Sequence, residues 1–137
     1  MRSLTFHMPR RIDDVDPTVL ALTSELEGYL SGEARLRFEI TVSEALSNLV
    51  IHAKPATADA TIDIHLALAA DQVVVEIFDP DGAEPFDIKA HARDLSQVDL
   101  MAEHGRGLGI IIECADAVDY GSHADRNRLR LTFIARE

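Results

Sequence analysis

Hydrophobic and polar residues alternate along four stretches of the chain, a period of two that is typical of strands with one buried face. The predicted strands are 3–8 (SLTFHM), 61–69, 72–78 and 128–134 (RLRLTFI). Only Ala70 and Asp71 separate the second stretch from the third, so these two strands are expected to form an antiparallel hairpin. A fifth, shorter strand is predicted over 117–121 (AVDYG).

Two helices are predicted between the first strand and the hairpin. The first is expected to begin at Asp16-Pro17, where a capping residue precedes a proline, and to end at Gly32. The second is expected to run from Glu33 to the residue before Lys54-Pro55, because a residue that precedes proline disfavours the helical region. A third, apolar helix is predicted over 110–117 (IIIECADA).

The second helix carries two stripes on a wheel of about 100° per residue. The apolar stripe comprises Phe38, Val42, Ala45, Leu46, Leu49 and Ala53. The polar stripe directly beside it comprises Arg37, Thr41, Glu44, Asn48 and His52. Side chains four residues apart on a helix are neighbours, so Glu44 and Asn48 lie together at the edge of the buried side. One could handle a proton and the other present an oxygen to Mg²⁺, although such a pair taken alone is more typical of two solvated residues.

The order of the elements predicts an α+β fold: a two-layer α/β sandwich with helices on one face of a mainly antiparallel sheet. No internal repeat or linker interrupts the sequence, and residues 1–137 are expected to form a single domain.

Composition and charge exclude several classes of function. With 24 acidic and 13 basic residues the net charge is −11, which makes direct binding of nucleic acid unfavourable. No apolar run reaches the roughly 18 residues that span a bilayer, so no membrane association is expected. The N-terminus lacks the hydrophobic region of a signal peptide, and the single cysteine, Cys114, cannot form an internal disulfide. The expected location is the cytoplasm.

Two further features could contact a ligand. Gly105, Gly107 and Gly109 stand at alternate positions before the third helix, where main-chain amides and a helix N-terminus suit phosphate. The loop lacks the lysine and hydroxyl residue of a P-loop, and by itself it could equally be a turn. Asp79 follows the strand 72–78; it is either a turn former or an acceptor for the exocyclic amine of a base.

These features occur in an order and at spacings that resemble the GHKL ATPase superfamily with its Bergerat ATP-binding fold. The stretches SEALSN (43–48) and GRGLGIII (105–112) are the most specific part of the resemblance, which covers about residues 36–134. Within the superfamily, the short length and VSEALSNLVIHA are similar to the bacterial anti-sigma-factor serine/threonine kinases of partner-switching systems.

The resemblance implies a role for each matching residue. Asn48 would ligate Mg²⁺, and Glu44 would act as the base or orienting group for a serine hydroxyl. Asp79 would bind the adenine amine, with Gly82 in the following turn, and residues 89–104 would form the lid. The ATP phosphates would be held by the loop residues Gly105, Arg106, Gly107, Leu108 and Gly109.

The adenine box departs from the family pattern of Asp-x-Gly a few residues ahead of Phe-Asp. Gly82 comes one place late after Asp79, whereas counting back from Phe86-Asp87 selects Asp81 with Ala83 in the glycine position. Asp79 is preferred because it directly follows the strand, and Asp81 stays the alternative.

The implied function is an anti-sigma factor that binds Mg-ATP, sequesters a sigma factor and phosphorylates an anti-anti-sigma STAS-domain partner. The alternative is a nucleotide-gated binding module that sequesters a sigma factor or another regulator with little or no kinase activity. A third interpretation is a plain α/β domain without a nucleotide site. The resemblance also implies a homodimer, to which the first strand could contribute by edge pairing.

Overall fold

An antiparallel sheet of five strands, covered on one face by two helices, forms the fold of the computed structural model, which describes residues 1–52, 61–78, 111, 113–123 and 126–135. The strands are β1 (Arg2–Pro9), β2 (Thr61–Leu68), β3 (Gln72–Phe78), β4 (Ala117–His123) and β5 (Arg126–Ile134). The helices are α1 (Val15–Ser24) and α2 (Gly32–His52), with a 3₁₀ turn at Ile12–Asp14. The strand order β1-β2-β3-β5-β4 makes β3 the central strand. The architecture confirms the predicted α+β fold.

The register of the strands separates an apolar face of the sheet from a polar one. One row of paired residues across the sheet is apolar: Leu4, Leu66, Val75, Leu131 and Val118. The next row along the strands is polar: Thr5, His65, Glu76, Arg130 and Asp119. Because successive side chains on a strand point to opposite faces, the helices cover only the apolar face.

The apolar stripe of α2 lies against this face as predicted. Phe38, Val42, Ala45, Leu46 and Leu49 are all at most 5% exposed, while Ala53 lies outside the described residues. The rings of Phe38 on α2 and Phe133 on β5 are 5.2 Å apart between centroids, at 59° to one another. This aromatic contact joins the first half of α2 to the sheet.

The prediction that the first helix continues to Gly32 is wrong. α1 begins at Val15 and ends at Ser24, and the following residues form tighter turns in which the Leu26 amide donates to the Thr23 carbonyl. Gly28 then takes a left-handed conformation with φ +87°, which a helix cannot contain. Leu26 and Leu30 nevertheless stay in the core, at 0% and 3% exposed. The helical spacing of leucines therefore extends past the end of the helix.

The remaining boundaries lie close to the predicted ones. The β2–β3 hairpin is confirmed, with the Ala69 amide donating to the Gln72 carbonyl at 2.9 Å. Ile111, Glu113 and Cys114 are helical, but the chain bends at Ala115, so the third helix ends before the predicted residue 117. In the described part of the chain, no helix combines the length and hydrophobicity needed to cross a bilayer.

Candidate functional site

The polar stripe of α2 is more deeply buried than a solvated helix face would be. Thr41 is 0% exposed and Asn48 is 6% exposed, whereas Glu44 between them is half-buried. The Thr41 hydroxyl donates to the Arg37 carbonyl at 2.6 Å, so its hydrogen bond is made within the helix. Asn48 differs, because its amide Nδ2 is buried and has no hydrogen-bond partner among the described residues.

The burial of Asn48 follows from its neighbours on α2. Ala45 and Leu49 belong to the core at 1% and 5% exposed, so the carboxamide of Asn48 lies at the margin of the core. An unpartnered buried polar group costs about 1–3 kcal/mol. Rotation about the Cβ–Cγ bond exchanges the amide nitrogen and oxygen, so Asn48 can present either a donor or an oxygen acceptor. Its environment therefore fits a residue that hydrogen-bonds or ligates something outside the described chain.

Glu44 lies one turn before Asn48 and on the wall of a groove between α1 and α2. The groove has a volume of about 430 Å³, and Asp16 and Glu39 also line it. No salt bridge or hydrogen bond joins the Glu44 carboxylate to another side chain in the described ranges. A half-buried carboxylate of this kind can accept a hydrogen bond or a proton from a group that enters the groove.

The described structure brings two of the predicted site residues together, Glu44 and Asn48, on one side of α2. Asp79 comes immediately after Phe78, the last residue of the central strand β3, but it lies outside the described residues. The same holds for the other predicted residues, which are Asp81, Gly82, Gly105, Arg106, Gly107, Leu108 and Gly109, and for the predicted lid at 89–104. Ile111, which follows the predicted glycine loop in the sequence, is described and is 0% exposed.

Arg10 contributes to this region, although the sequence interpretation missed it. Its Nη1 donates to the Val50 carbonyl at 3.3 Å, in the last turn of α2. A cation at a helix C-terminus satisfies a free carbonyl and complements the helix dipole. Arg10 therefore fixes the end of α2 two residues beyond Asn48. Only its position just after β1 could have suggested this contact, because it belongs to no periodic pattern.

The comparison with known families identifies the domain. The family model of the histidine kinase-like ATPase domain matches residues 8–133. The match begins in β1, ends in β5 and includes both the Glu44–Asn48 pair and the glycine loop at 105–109. No curated protein matches the chain.

Proposed function

The chain belongs to the histidine kinase-like ATPase domain family, and from this premise we propose that it is an Mg-ATP-dependent serine/threonine protein kinase and anti-sigma factor. Membership of this GHKL-type family supports ATP binding and a regulatory, kinase-like role. The observation that carries the proposal is the buried amide of Asn48, whose Nδ2 has no hydrogen-bond partner in the described part of the chain, one turn after the half-buried carboxylate of Glu44.

Asn48 would hold Mg²⁺ through its side-chain oxygen. Mg²⁺ in nucleotide sites keeps several waters and takes few protein ligands, the phosphates supplying others, so one carboxamide at the edge of the core fits this task. When bound, Mg-ATP supplies the phosphoryl group, and the metal neutralises charge on the phosphates. Asn48 sits on a helix whose inner side is packed against the sheet, which keeps the amide in place for the ligand.

Glu44 would receive the hydroxyl of the incoming serine. Its side chain is about 5–6 Å from that of Asn48 between Cβ atoms, as for any pair at this helical spacing. Phosphoryl transfer depends mainly on positioning and charge stabilisation. A carboxylate held one turn from the metal ligand can orient a hydroxyl toward the terminal phosphate and take its proton.

The rest of the nucleotide site is proposed from the sequence. Asp79, or Asp81 in the alternative register, would accept a hydrogen bond from the adenine amine, and Gly82 would let the backbone approach the base. Main-chain amides of Gly105–Gly109 would contact the phosphates, with Arg106 adding a positive charge.

The assignment to partner switching rests on the similarity of residues 36–134 to anti-sigma-factor kinases. The phosphorylated protein would be an anti-anti-sigma STAS-domain partner, and the sequestered protein a sigma factor. The proposed homodimer is compatible with the position of β1, which is an edge strand of the sheet and can pair with another strand.

Phosphotransfer with purified proteins tests the proposal. The chain is incubated with Mg-ATP and candidate STAS-domain proteins, and phosphoserine is measured. Glu44→Gln is expected to keep nucleotide binding and to slow phosphotransfer by about 10²–10⁴-fold, as for loss of a general base. Glu33→Gln, at an exposed position in the first turn of the same helix, is the matched control and should keep the full rate. A Glu44→Gln protein with normal transfer would remove Glu44 from its role.

The nucleotide-gated binding module is a second candidate, favoured by the irregular adenine box in which Gly82 comes one place late after Asp79. In that case, the nucleotide would control partner binding and little phosphate would be transferred. Calorimetry that finds tight ADP binding, together with no phosphoserine on any partner, would select this candidate over the kinase.

A further inference from the structure

The groove between α1 and α2 has an apolar floor that the fold leaves open. Val19 and Leu20 line it from α1, and Ile40 lines it from α2. Leu20 is 72% exposed and Ile40 is 38% exposed. A volume of about 430 Å³ is within the range of binding clefts. Exposed apolar residues that converge on one concave surface, rather than scattering singly, are typical of an interaction site.

The rim of the same groove is acidic. Asp16 stands on the α1 side, and Glu39 and Glu44 stand on the α2 side. No lysine, arginine or histidine is among the described residues that line it. Three carboxylates around an apolar floor, in a chain of net charge −11, create a negative potential that favours a basic partner.

We propose that this groove binds an amphipathic helical segment of a partner protein, one that inserts leucine-type side chains between α1 and α2 and places lysine or arginine residues against the acidic rim. Helices recognised in this way present apolar anchors at spacings of three and four residues. An anionic membrane or a nucleic acid would be repelled by the rim. A second copy of this chain would bring 24 acidic residues against 13 basic ones, which opposes self-association through the groove.

The inference goes beyond the proposed function, because it needs neither nucleotide nor phosphotransfer. It also connects the two sites. Glu44 belongs to the groove wall and precedes Asn48 by one turn, which is about 5.4 Å along the helix axis. A segment bound in the groove therefore comes within one turn of the candidate nucleotide site.

Binding of a defined peptide to the full chain tests the groove. The probe is a fluorescent amphipathic peptide of about 15 residues, with leucines on one face and lysines flanking them, and its affinity is measured by anisotropy. A peptide with glutamates in place of the lysines is expected not to bind. Leu20→Ser should weaken binding by about tenfold or more, as expected for loss of a buried leucine. Leu36→Ser is the matched control, since Leu36 is an exposed leucine at 54% outside the groove.

A pair of charge variants separates docking from general attraction to an acidic protein. Asp16→Asn with Glu39→Gln removes two rim charges, and Glu27→Gln with Asp71→Asn removes two exposed charges elsewhere. The rim variant should weaken binding and reduce its salt dependence, while the distant variant should change both little. Equal losses in the two variants would overturn the proposal. So would a homodimer that Leu20→Ser dissociates in sedimentation, because the groove would then be covered by a second copy.

Nucleotide binding, measured on the same variants, keeps this proposal separate from the proposed function. Asn48→Ala should lose Mg-dependent ATP binding and keep peptide binding, while Leu20→Ser should do the reverse. Peptide binding that does not change in the Leu20 and rim-charge variants contradicts the groove proposal and leaves the kinase proposal standing. Absence of ATP binding in the unmodified chain contradicts the kinase proposal alone.

Discussion

Asn48 exposes 6% of its surface, and its amide nitrogen has no partner among the described residues. The buried Thr41 on the same stripe satisfies its hydroxyl within the helix. A residue that only stabilises the fold would be expected to resemble Thr41, because a buried polar group without a partner is destabilising. The described residues therefore leave the Asn48 amide available to a ligand, as the proposed Mg-ATP site requires.

We predict that Asn48→Ala changes the free energy of unfolding by no more than about 1 kcal/mol, because the loss of packing is offset by removal of an unpartnered amide. Leu46→Ala on the same helix is the matched control. It deletes a side chain that is 0% exposed and should cost about 2–5 kcal/mol. Urea unfolding of the three proteins measures both values. If Asn48→Ala lowers the free energy of unfolding as much as Leu46→Ala does, the amide of Asn48 stabilises the fold and is not reserved for a ligand.

For the helices and strands, the sequence predicts the features that depend on local periodicity, such as strand bounds and helix faces. The alternation in β2 and β3 places both strands within a residue of their observed ends. The spacing of Glu44 and Asn48 places both on one side of α2. The end of α1 could not be found in this way. Leu26 and Leu30 continue the helical spacing of apolar residues, but they lie in turns after the helix and pack into the core from there.

The candidate site shows the same limit: helical spacing predicts which residues share a face, but not the contacts that form only when the chain folds. Whether the Asn48 amide finds a partner among the described residues depends on which side chains surround it after folding. The contact of Arg10 with the Val50 carbonyl joins residues 40 positions apart, and no short motif encodes it. Three large apolar residues of α2 are exposed, namely Leu36, Ile40 and Ile51. They form a surface that a division of the helix into one polar and one buried apolar stripe overlooks.

We predict that Gly28→Ala lowers the free energy of unfolding by about 1–2 kcal/mol, because Gly28 has φ +87° and a side chain there is strained. No atom of the described residues stands within 4 Å of a Cβ added at Gly28 or at Gly121, so neither change causes a clash with this part of the chain. Gly121→Ala is the matched control without a left-handed backbone, and it should be neutral or stabilising by about 0.4–1 kcal/mol. Thermal unfolding distinguishes them, and equal effects would contradict the role of Gly28 in the turn.

The contact between α2 and the sheet gives another prediction. Phe38→Ala removes a fully buried ring that packs on Phe133 and should cost about 3–5 kcal/mol. Leu36→Ala, two residues earlier on an exposed side, should cost less than about 0.5 kcal/mol. Denaturant unfolding measures both, and a small effect of Phe38→Ala would mean that α2 is held to the sheet elsewhere.

The whole molecule combines a core on one face of the sheet with an excess of negative charge. The polar face of the sheet pairs some charges, as in the contact of Arg128 with Glu76 at 2.9 Å. With 24 acidic and 13 basic residues, most carboxylates cannot be paired in this way. Like charges destabilise a compact state, so the net charge of −11 works against the stability that the core provides.

We therefore predict that the melting temperature rises between about 0.01 M and 0.15 M sodium chloride, where the Debye length falls from about 30 Å to 8 Å. Screening should weaken the repulsion among carboxylates more than it weakens the close, partly buried pair of Arg128 and Glu76. Calorimetry at the two salt concentrations measures the shift. A melting temperature that falls with salt would show that attractive pairs dominate the electrostatics of the fold.

In the proposed site α2 presents Asn48 to Mg-ATP, and stabilisation of the fold by the nucleotide is the sharpest test of this arrangement. A ligand that binds only the folded state at 100 times its dissociation constant adds about 2.7 kcal/mol to the free energy of unfolding. We predict this increase for the unmodified chain with excess Mg-ATP, its loss when EDTA removes the metal, and its loss in Asn48→Ala. Equal stabilisation of both proteins by Mg-ATP, or none in the unmodified chain, would contradict the account.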